Sequence, residues 1–137
     1  MLTKKFSMSI ETQRILLINC DCAIEEMMQL CFETIFNCKV IIASSGVDAI
    51  ARVSTGQIEA ILLDIDEIIP DLSWSEIIKD LQQNSLTNQI PIILLTSAPQ
   101  SPEIVKLQQT RGIKAIAKSF DLLTLATQIY GLLNWDE

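Results

Sequence analysis

Five short apolar runs separated by amphipathic stretches constrain this chain more than any other feature. They are Arg14-Ile-Leu-Leu-Ile18, Lys39-Val-Ile-Ile-Ala43, Ile58-Glu-Ala-Ile-Leu-Leu63, Ile90-Pro-Ile-Ile-Leu-Leu-Thr96 and Gly112-Ile-Lys-Ala-Ile-Ala117. Each is short and almost continuously apolar, as strands covered on both faces must be. The stretches between them carry helix signals. Ile24, Met28, Cys31 and Ile35 fall on one helical face. Ser45 precedes Val47, Ala49, Ile50 and Val53, with Asp48 three residues on. Ser73 and Glu76 read as a capping box before Ile77, Ile78 and Leu81. Ser101-Pro102-Glu103 supplies an N-cap, a proline at the first helical position and an acid in the first turn. Asp121 caps a last helix with the stripe Leu122, Leu125, Ala126, Ile129 and Leu133.

Strands that alternate with helices run parallel, joined by right-handed crossovers with helices on both faces. The expected fold is therefore α/β: a doubly wound, five-stranded parallel sheet ordered 2-1-3-4-5. The 137 residues suit one domain, and 49% hydrophobic against 20% charged residues is globular composition. Residues 1–13 read as a short polar arm, 14–134 as the domain and 135–137 as a tail.

Composition excludes several functions. The chain has no histidine, so a Ser-His-Asp triad, a His-ligated zinc, a haem histidine and an internal phosphohistidine are impossible. A net charge of −7 disfavours nucleic acid and anionic membrane surfaces as partners. No apolar run reaches the roughly 18–20 residues that span a bilayer, and no signal-peptide pattern follows Met1. Cys20, Cys22, Cys31 and Cys38 cluster in one part of the chain, which suits reduced thiols in a cytoplasm. Cys31 reads as a core thiol, while Cys20 and Cys22 leave a soft-metal or redox reading open. Phosphate loops of the GxxxxGK[ST] and GxGxxG types are absent.

Ligands of doubly wound sheets sit at the carboxyl ends of the strands, near the switch point between strands 1 and 3. Those ends carry Asn19, Cys20 and Asp21, then Asp64, Asp66 and Glu67, then Thr96 and Ser97, then Lys118. A carboxylate can attack phosphorus, while a hydroxyl and an ammonium hold the phosphoryl oxygens as charge develops.

With these residues in this order, the chain resembles the receiver domain of two-component response regulators, a flavodoxin-like (βα)5 fold. The resemblance runs over about residues 14–134 and rests on Arg14-Ile-Leu-Leu-Ile18, Ala60-Ile-Leu-Leu-Asp64, Ile90-Pro-Ile-Ile-Leu-Leu-Thr96 and Ala117-Lys118-Ser119-Phe120. Leu123-Thr-Leu-Ala-Thr-Gln-Ile129 is similar to cyanobacterial-type receivers. The resemblance implies that Asp64 is the phosphoacceptor, with Asp66 as runner-up, and that Thr96 and Lys118 contact the phosphate. It implies Mg²⁺ at Asp64 with Asp21 and Asp66, and at the acidic-pair positions held here by Asn19 and Cys20. It further implies a histidine kinase or phosphotransfer protein as donor, a downstream protein partner, and pairing of two copies through helix 4, strand 5 and helix 5. Lys106, Gln109, Ile113, Lys114 and Gln128 would lie on that face. The chain would be no enzyme beyond its own phosphoryl transfer and loss. With no output domain before residue 14 or after Glu137, signalling is expected to run through protein contact alone.

Five departures from the family pattern stand out. Cys20 replaces the second acid of the pair, and a neutral thiol is a poor Mg²⁺ ligand. Pro70 falls six residues after Asp64 instead of four. Lys118 is followed by Ser119 instead of proline. Ala115 replaces the usual aromatic of strand 5. Trp74 stands where a turn glycine is common, and reads either as a half-buried packing residue or as an exposed anchor for a partner. Together they keep a second reading open: a pseudo-receiver that binds partners independently of phosphorylation.

Overall fold

The computed structural model describes residues 13–18, 21–55, 57–66, 69, 71–119 and 121–133. Five parallel strands form one sheet in the order β2-β1-β3-β4-β5. They are β1 (Gln13–Ile18), β2 (Cys38–Ala43), β3 (Ala60–Asp64), β4 (Ile92–Thr96) and β5 (Ile113–Ala117). The helices are α1 (Cys22–Leu30), α2 (Gly46–Thr55), α3 (Trp74–Gln83), α4 (Pro102–Leu107) and α5 (Leu122–Leu133). The expected sheet and its order are observed, with strand limits shifted by one or two residues. Ile58, expected inside β3, lies before it and is buried in the core.

Strand alternation divides the core into two layers. Ile15 and Leu17 face one side of β1, while Leu16 and Ile18 face the other. The first side is closed by Ile24, Met28 and Phe32 from the α1 region and by Leu125, Ala126 and Ile129 from α5. The second is closed by Ala49 and Val53 of α2 and by Ile77, Ile78 and Leu81 of α3. Every residue of β3 and β4 is buried, which explains why these strands read as unbroken apolar runs.

The end of α1 departs from the expected stripe. Residues Cys31–Ile35 form a π-helical turn, with the Phe36 N–H donating to the Cys31 carbonyl at 3.2 Å. A π-turn adds one residue and rotates the side chains beyond it around the helix axis. Ile35 is therefore 60% exposed, and Phe32 packs inward in its place. Phe32, Phe36 and Tyr130 then form an aromatic group, with Phe36 and Tyr130 stacked at 4.1 Å.

The caps behave largely as expected. Ser73 and Glu76 form a reciprocal capping box. Asp121 accepts from the Thr124 N–H at 3.2 Å. The Ser45 hydroxyl accepts from the Asp48 N–H at 3.0 Å, while the Asp48 carboxylate turns to the Ser44 N–H. A second cap on α2 comes from outside: Asp71 accepts from the N–H groups of Gly46 and Val47, both at 2.9 Å. Val47, assigned to the apolar face, is 62% exposed; Ala49 and Val53 carry the packing. Trp74 opens α3 half-buried and packs against the second core layer.

Candidate functional site

Three strand ends converge because the ladders are in register. Asp64 ends β3 opposite Leu95, and Thr96 ends β4 opposite Ala117. The Lys118 N–H then donates to the Thr96 carbonyl at 3.1 Å, which carries Lys118 past the end of β5. The three predicted side chains are thus brought to one end of the sheet by backbone pairing.

Asp64 is completely buried. Its Oδ1 accepts from the Asp66 N–H at 3.0 Å, and its Oδ2 lies 2.8 Å from Lys118 Nζ. That second contact is one of charge: Oδ2 receives no aligned hydrogen bond. After β3 the Ile65 N–H still pairs with the Leu95 carbonyl, and the chain then bends. The bend turns Asp66 into the same crevice, where it meets Thr96, Ser97 and Lys118.

Asp66 gathers more donors than any other group of the site. The Thr96 hydroxyl donates to its Oδ1 at 3.0 Å, and the Ser97 N–H donates to its Oδ2 at 2.7 Å. Lys118 Nζ lies 3.4 Å from the same Oδ2. Thr96 is itself buried, and its oxygen accepts from the Ala98 N–H at 3.0 Å, so its proton is directed at Asp66. The Ser97 N–H was not singled out in the sequence, because every residue but proline carries that donor and only geometry aims it.

The two carboxylates titrate in opposite directions. Burial pushes the Asp64 carboxyl above its ordinary value, and contact with Lys118 and the Asp66 N–H offsets this only in part. Burial also acts on Asp66, but the Ser97 N–H, the Thr96 hydroxyl and Lys118 outweigh it and hold this carboxyl low. For Lys118, burial disfavours the charge, yet Asp64 and Asp66 outweigh it and raise the ammonium's pKa.

The remaining predicted residues separate from this cluster. Asp21 caps α1, its Oδ1 accepting from the Ile24 N–H at 2.9 Å. Asn19, Cys20, Glu67, Pro70 and Phe120 lie outside the described residues. Among the described residues no three carboxylate or thiol groups lie close enough to hold a metal ion. Asp66 is engaged through both oxygens, and the Lys118 ammonium lies against both carboxylates, while Asp64 Oδ2 accepts no hydrogen bond. The described carboxylates alone therefore do not make a Mg²⁺ site in this arrangement. Cys31 and Cys38 are buried free thiols and Cys22 is an exposed one. Ile113, expected on the outer face of β5, is buried, because strand alternation points it into the second core layer. Lys106, Gln109, Lys114 and Gln128 are exposed as expected. No peptide bond is cis among the described residues, Lys118–Ser119 included. No helix among the described residues is long and apolar enough to cross a membrane.

Solved structures share this fold at low identity. The chemotaxis response regulator CheY4 of Vibrio cholerae superposes with a TM-score of 0.73 at 21% identity, covering 88% of this chain and 98% of its own. The receiver domain of the sensor histidine kinase PA1611 from Pseudomonas aeruginosa PAO1, crystallised with magnesium in its active-site cleft, gives 0.71 at 19% identity, covering 89% and 98%. The phosphorylated cyanobacterial phytochrome response regulator RcpA gives 0.71 at 19% identity, covering 88% and 91%. A search of curated proteins finds no match. Residues 15–130, which hold the whole sheet beyond its first two residues and the Asp64, Thr96 and Lys118 set, match the family described as the response regulator receiver domain. With sheet order, strand-end chemistry and sequence in agreement, the chain belongs to the response regulator receiver domain family.

Proposed function

We propose that this chain receives a phosphoryl group on Asp64 from a histidine kinase or phosphotransfer protein and signals by contact with a downstream protein. The observation that carries this reading is the buried Asp64–Lys118 pair at 2.8 Å, at the end of β3 and beside the Thr96 hydroxyl. A carboxylate oxygen of Asp64 forms the new O–P bond as the P–N bond of the donor's phosphohistidine breaks. The electron pair of that bond leaves with the imidazole nitrogen, which takes a proton from water. Lys118 and the Thr96 hydroxyl meet the charge that gathers on the phosphoryl oxygens. We read the family's metal site as degenerate in this chain, and the contact of Lys118 with Asp64 supports Lys118 as the cation that meets the phosphoryl charge.

The donor must be another protein, since this chain has no histidine. The free thiols of Cys22, Cys31 and Cys38 support a cytoplasmic setting. Residues Leu123–Ile129 support a cyanobacterial-type receiver. The exposed Lys106, Gln109, Lys114 and Gln128 form the surface we assign to a downstream partner or a second copy.

The test is intact-protein mass after incubation with a small-molecule phosphodonor and Mg²⁺, for the wild type, Asp64→Asn and Asp66→Asn. One added phosphate that only Asp64→Asn abolishes is the expected result. Loss of the label in Asp66→Asn alone moves the acceptor to Asp66. No label from the small donor or from a cognate kinase favours a phosphorylation-independent binding module.

A further inference from the structure

We infer that Asp66 is a resident anion in the phosphoryl seat of Asp64, and that it must leave before Asp64 can be phosphorylated. The inference rests on the reading of Asp64 as acceptor, and it adds a control element to that reading. Three kinds of donor converge on the Asp66 carboxylate: the Thr96 hydroxyl at 3.0 Å, the Ser97 N–H at 2.7 Å and the Lys118 ammonium at 3.4 Å. A hydroxyl, a backbone N–H and an ammonium around one point make an anion seat, because each presents a positive hydrogen and none competes as an acceptor there.

Lys118 touches both carboxylates, so the seat is continuous with Asp64. A phosphoryl group on Asp64 would bring its oxygens into the space beside Lys118 that Asp66 Oδ2 now shares. It would carry about −1.5 to −2 charge at pH 7, directly against the carboxylate that Thr96, Ser97 and Lys118 now hold. The two anions cannot share one ammonium, one hydroxyl and one N–H. Asp64 has no solvent-exposed surface, whereas the Asp66 side chain retains 26%. Asp66 is thus the member of the pair with a way out, by rotating its side chain toward solvent while its N–H stays on Asp64 Oδ1.

Eviction has a kinetic and a structural consequence. Phosphorylation is slowed by the free energy of displacing Asp66. The unphosphorylated chain also already holds Thr96, Ser97 and Lys118 in an anion-bound arrangement, so the structural step from the resting to the phosphorylated state is small.

The experiment compares wild type, Asp66→Ala and Asp66→Asn by two readouts. The first needs no chemistry: inorganic phosphate is titrated while the backbone amide signals of Thr96, Ser97 and Lys118 are followed by NMR. Phosphate is expected to bind Asp66→Ala at least tenfold tighter than wild type and to move those three amides. Asp66→Asn, which keeps the shape and an acceptor oxygen but loses the charge, should fall between, and it serves as the folded control if Asp66→Ala loses its dispersed spectrum. Equal phosphate affinity in wild type and both variants overturns the proposal. The second readout is the rate of mass labelling by the phosphodonor, expected to rise at least tenfold in Asp66→Ala. Tighter phosphate binding with no labelling of any variant leaves the seat in place and sinks Asp64 as acceptor. Labelling of wild type at Asp64 as fast as Asp66→Ala keeps the acceptor and sinks the gate.

Discussion

Lys118 holds the wholly buried Asp64 carboxylate at 2.8 Å, and it is the cationic partner of that carboxylate. Removing Lys118 would leave a buried charge that keeps the Asp66 N–H but loses this cation, while removing the charge on Asp64 would leave an ammonium that is 24% exposed and able to hydrate. The two deletions are therefore unequal. Lys118→Ala is expected to destabilise the fold by about 3–5 kcal/mol at pH 7, and Asp64→Asn by clearly less. Urea unfolding of both variants and the double variant checks this. The penalty of Lys118→Ala should shrink as pH falls toward the carboxylate range, because Asp64 then becomes neutral. Equal penalties for the two single variants would refute the asymmetry.

Asp66 and several helix-capping carboxylates shape the acid limb of stability. Asp66 titrates below its ordinary value, and so do Asp48, Asp71, Glu76 and Asp121, which accept backbone N–H groups. For each, the unfolded chain binds the proton first, so stability rises with pH through that window and is lost as pH falls through the folded value. Asp64 has the opposite sign. Its raised pKa means that the folded state binds the proton first, and stability falls as pH rises from the ordinary to the raised value. Asp66→Asn should flatten the loss of stability below about pH 4, and Asp64→Asn should steepen the rise of stability above it. Unfolding free energies measured from pH 3 to 6 give both slopes.

Much of this fold is legible in the sequence because the physics behind it is local. β3 and β4 are buried on both faces and read as apolar runs, and the Ser73–Glu76 box spans four residues. Misreadings arise where one residue changes the geometry of others. Ile35 leaves the α1 face because the π-turn at Cys31 rotates it, and no composition signal marks that turn. Ile113 fell on the wrong side because the phase of β5 is set by its pairing with Ile92. The carboxylate, hydroxyl and ammonium of the site could be predicted from strand ends. That Thr96 and Ser97 grip Asp66 could not, because the bend after Asp64 decides it.

The cap that Asp71 lends to α2 is the clearest long-range feature. Asp71 Oδ1 and Oδ2 reach the Gly46 and Val47 N–H groups across 25 and 24 residues of sequence. Gly46 lies against the same segment, where an added Cβ would stand 2.8 Å from Leu72 Cβ and 3.1 Å from Asp71 Oδ1. Alanine normally favours a helix over glycine, by up to about 1 kcal/mol. Here the clash reverses the sign, and Gly46→Ala is expected to destabilise by about 1–3 kcal/mol, as overpacking does. Asp71→Ala should destabilise too, by freeing two N–H groups. The effects should not add, since both variants disturb one contact. Thermal unfolding of the two single variants and the double variant decides it, and a stabilised Gly46→Ala would refute the interlock.

The thiols should differ sharply in reactivity. Cys22 is exposed at the start of α1, whereas burial, with Glu59 adding to it, pushes the Cys38 thiol up to about 11. At pH 8 a thiol of that pKa is only about one part in a thousand thiolate, against roughly a quarter for an ordinary cysteine. Cys31 is also buried, and burial raises its pKa. Peptide mapping after brief alkylation should find label on Cys22 well before Cys31 or Cys38, and label on the latter two should track unfolding in denaturant. Prompt labelling of Cys38 in the native protein would contradict its burial.

Metal affinity is the last expectation, and it derives from charges already satisfied. Asp64 faces Lys118, Asp66 faces Thr96, Ser97 and Lys118, and Asp21 caps α1. A Mg²⁺ ion needs hard oxygens in octahedral geometry, and on the proposed alignment Cys20 offers a soft thiol where the family carries an acid. Titration calorimetry should therefore show weak Mg²⁺ binding by the wild type. Cys20→Asp should strengthen it at least tenfold, and Lys118→Ala should strengthen it further by removing the competing cation. Asp66→Ala combined with Glu67→Ala should weaken Mg²⁺ binding, because it removes two hard-oxygen anions and leaves the Lys118 ammonium less compensated. Affinity unchanged by that pair would show that these acids do not help to hold the ion. Wild-type affinity unchanged by Cys20→Asp would show that position 20 does not limit the site.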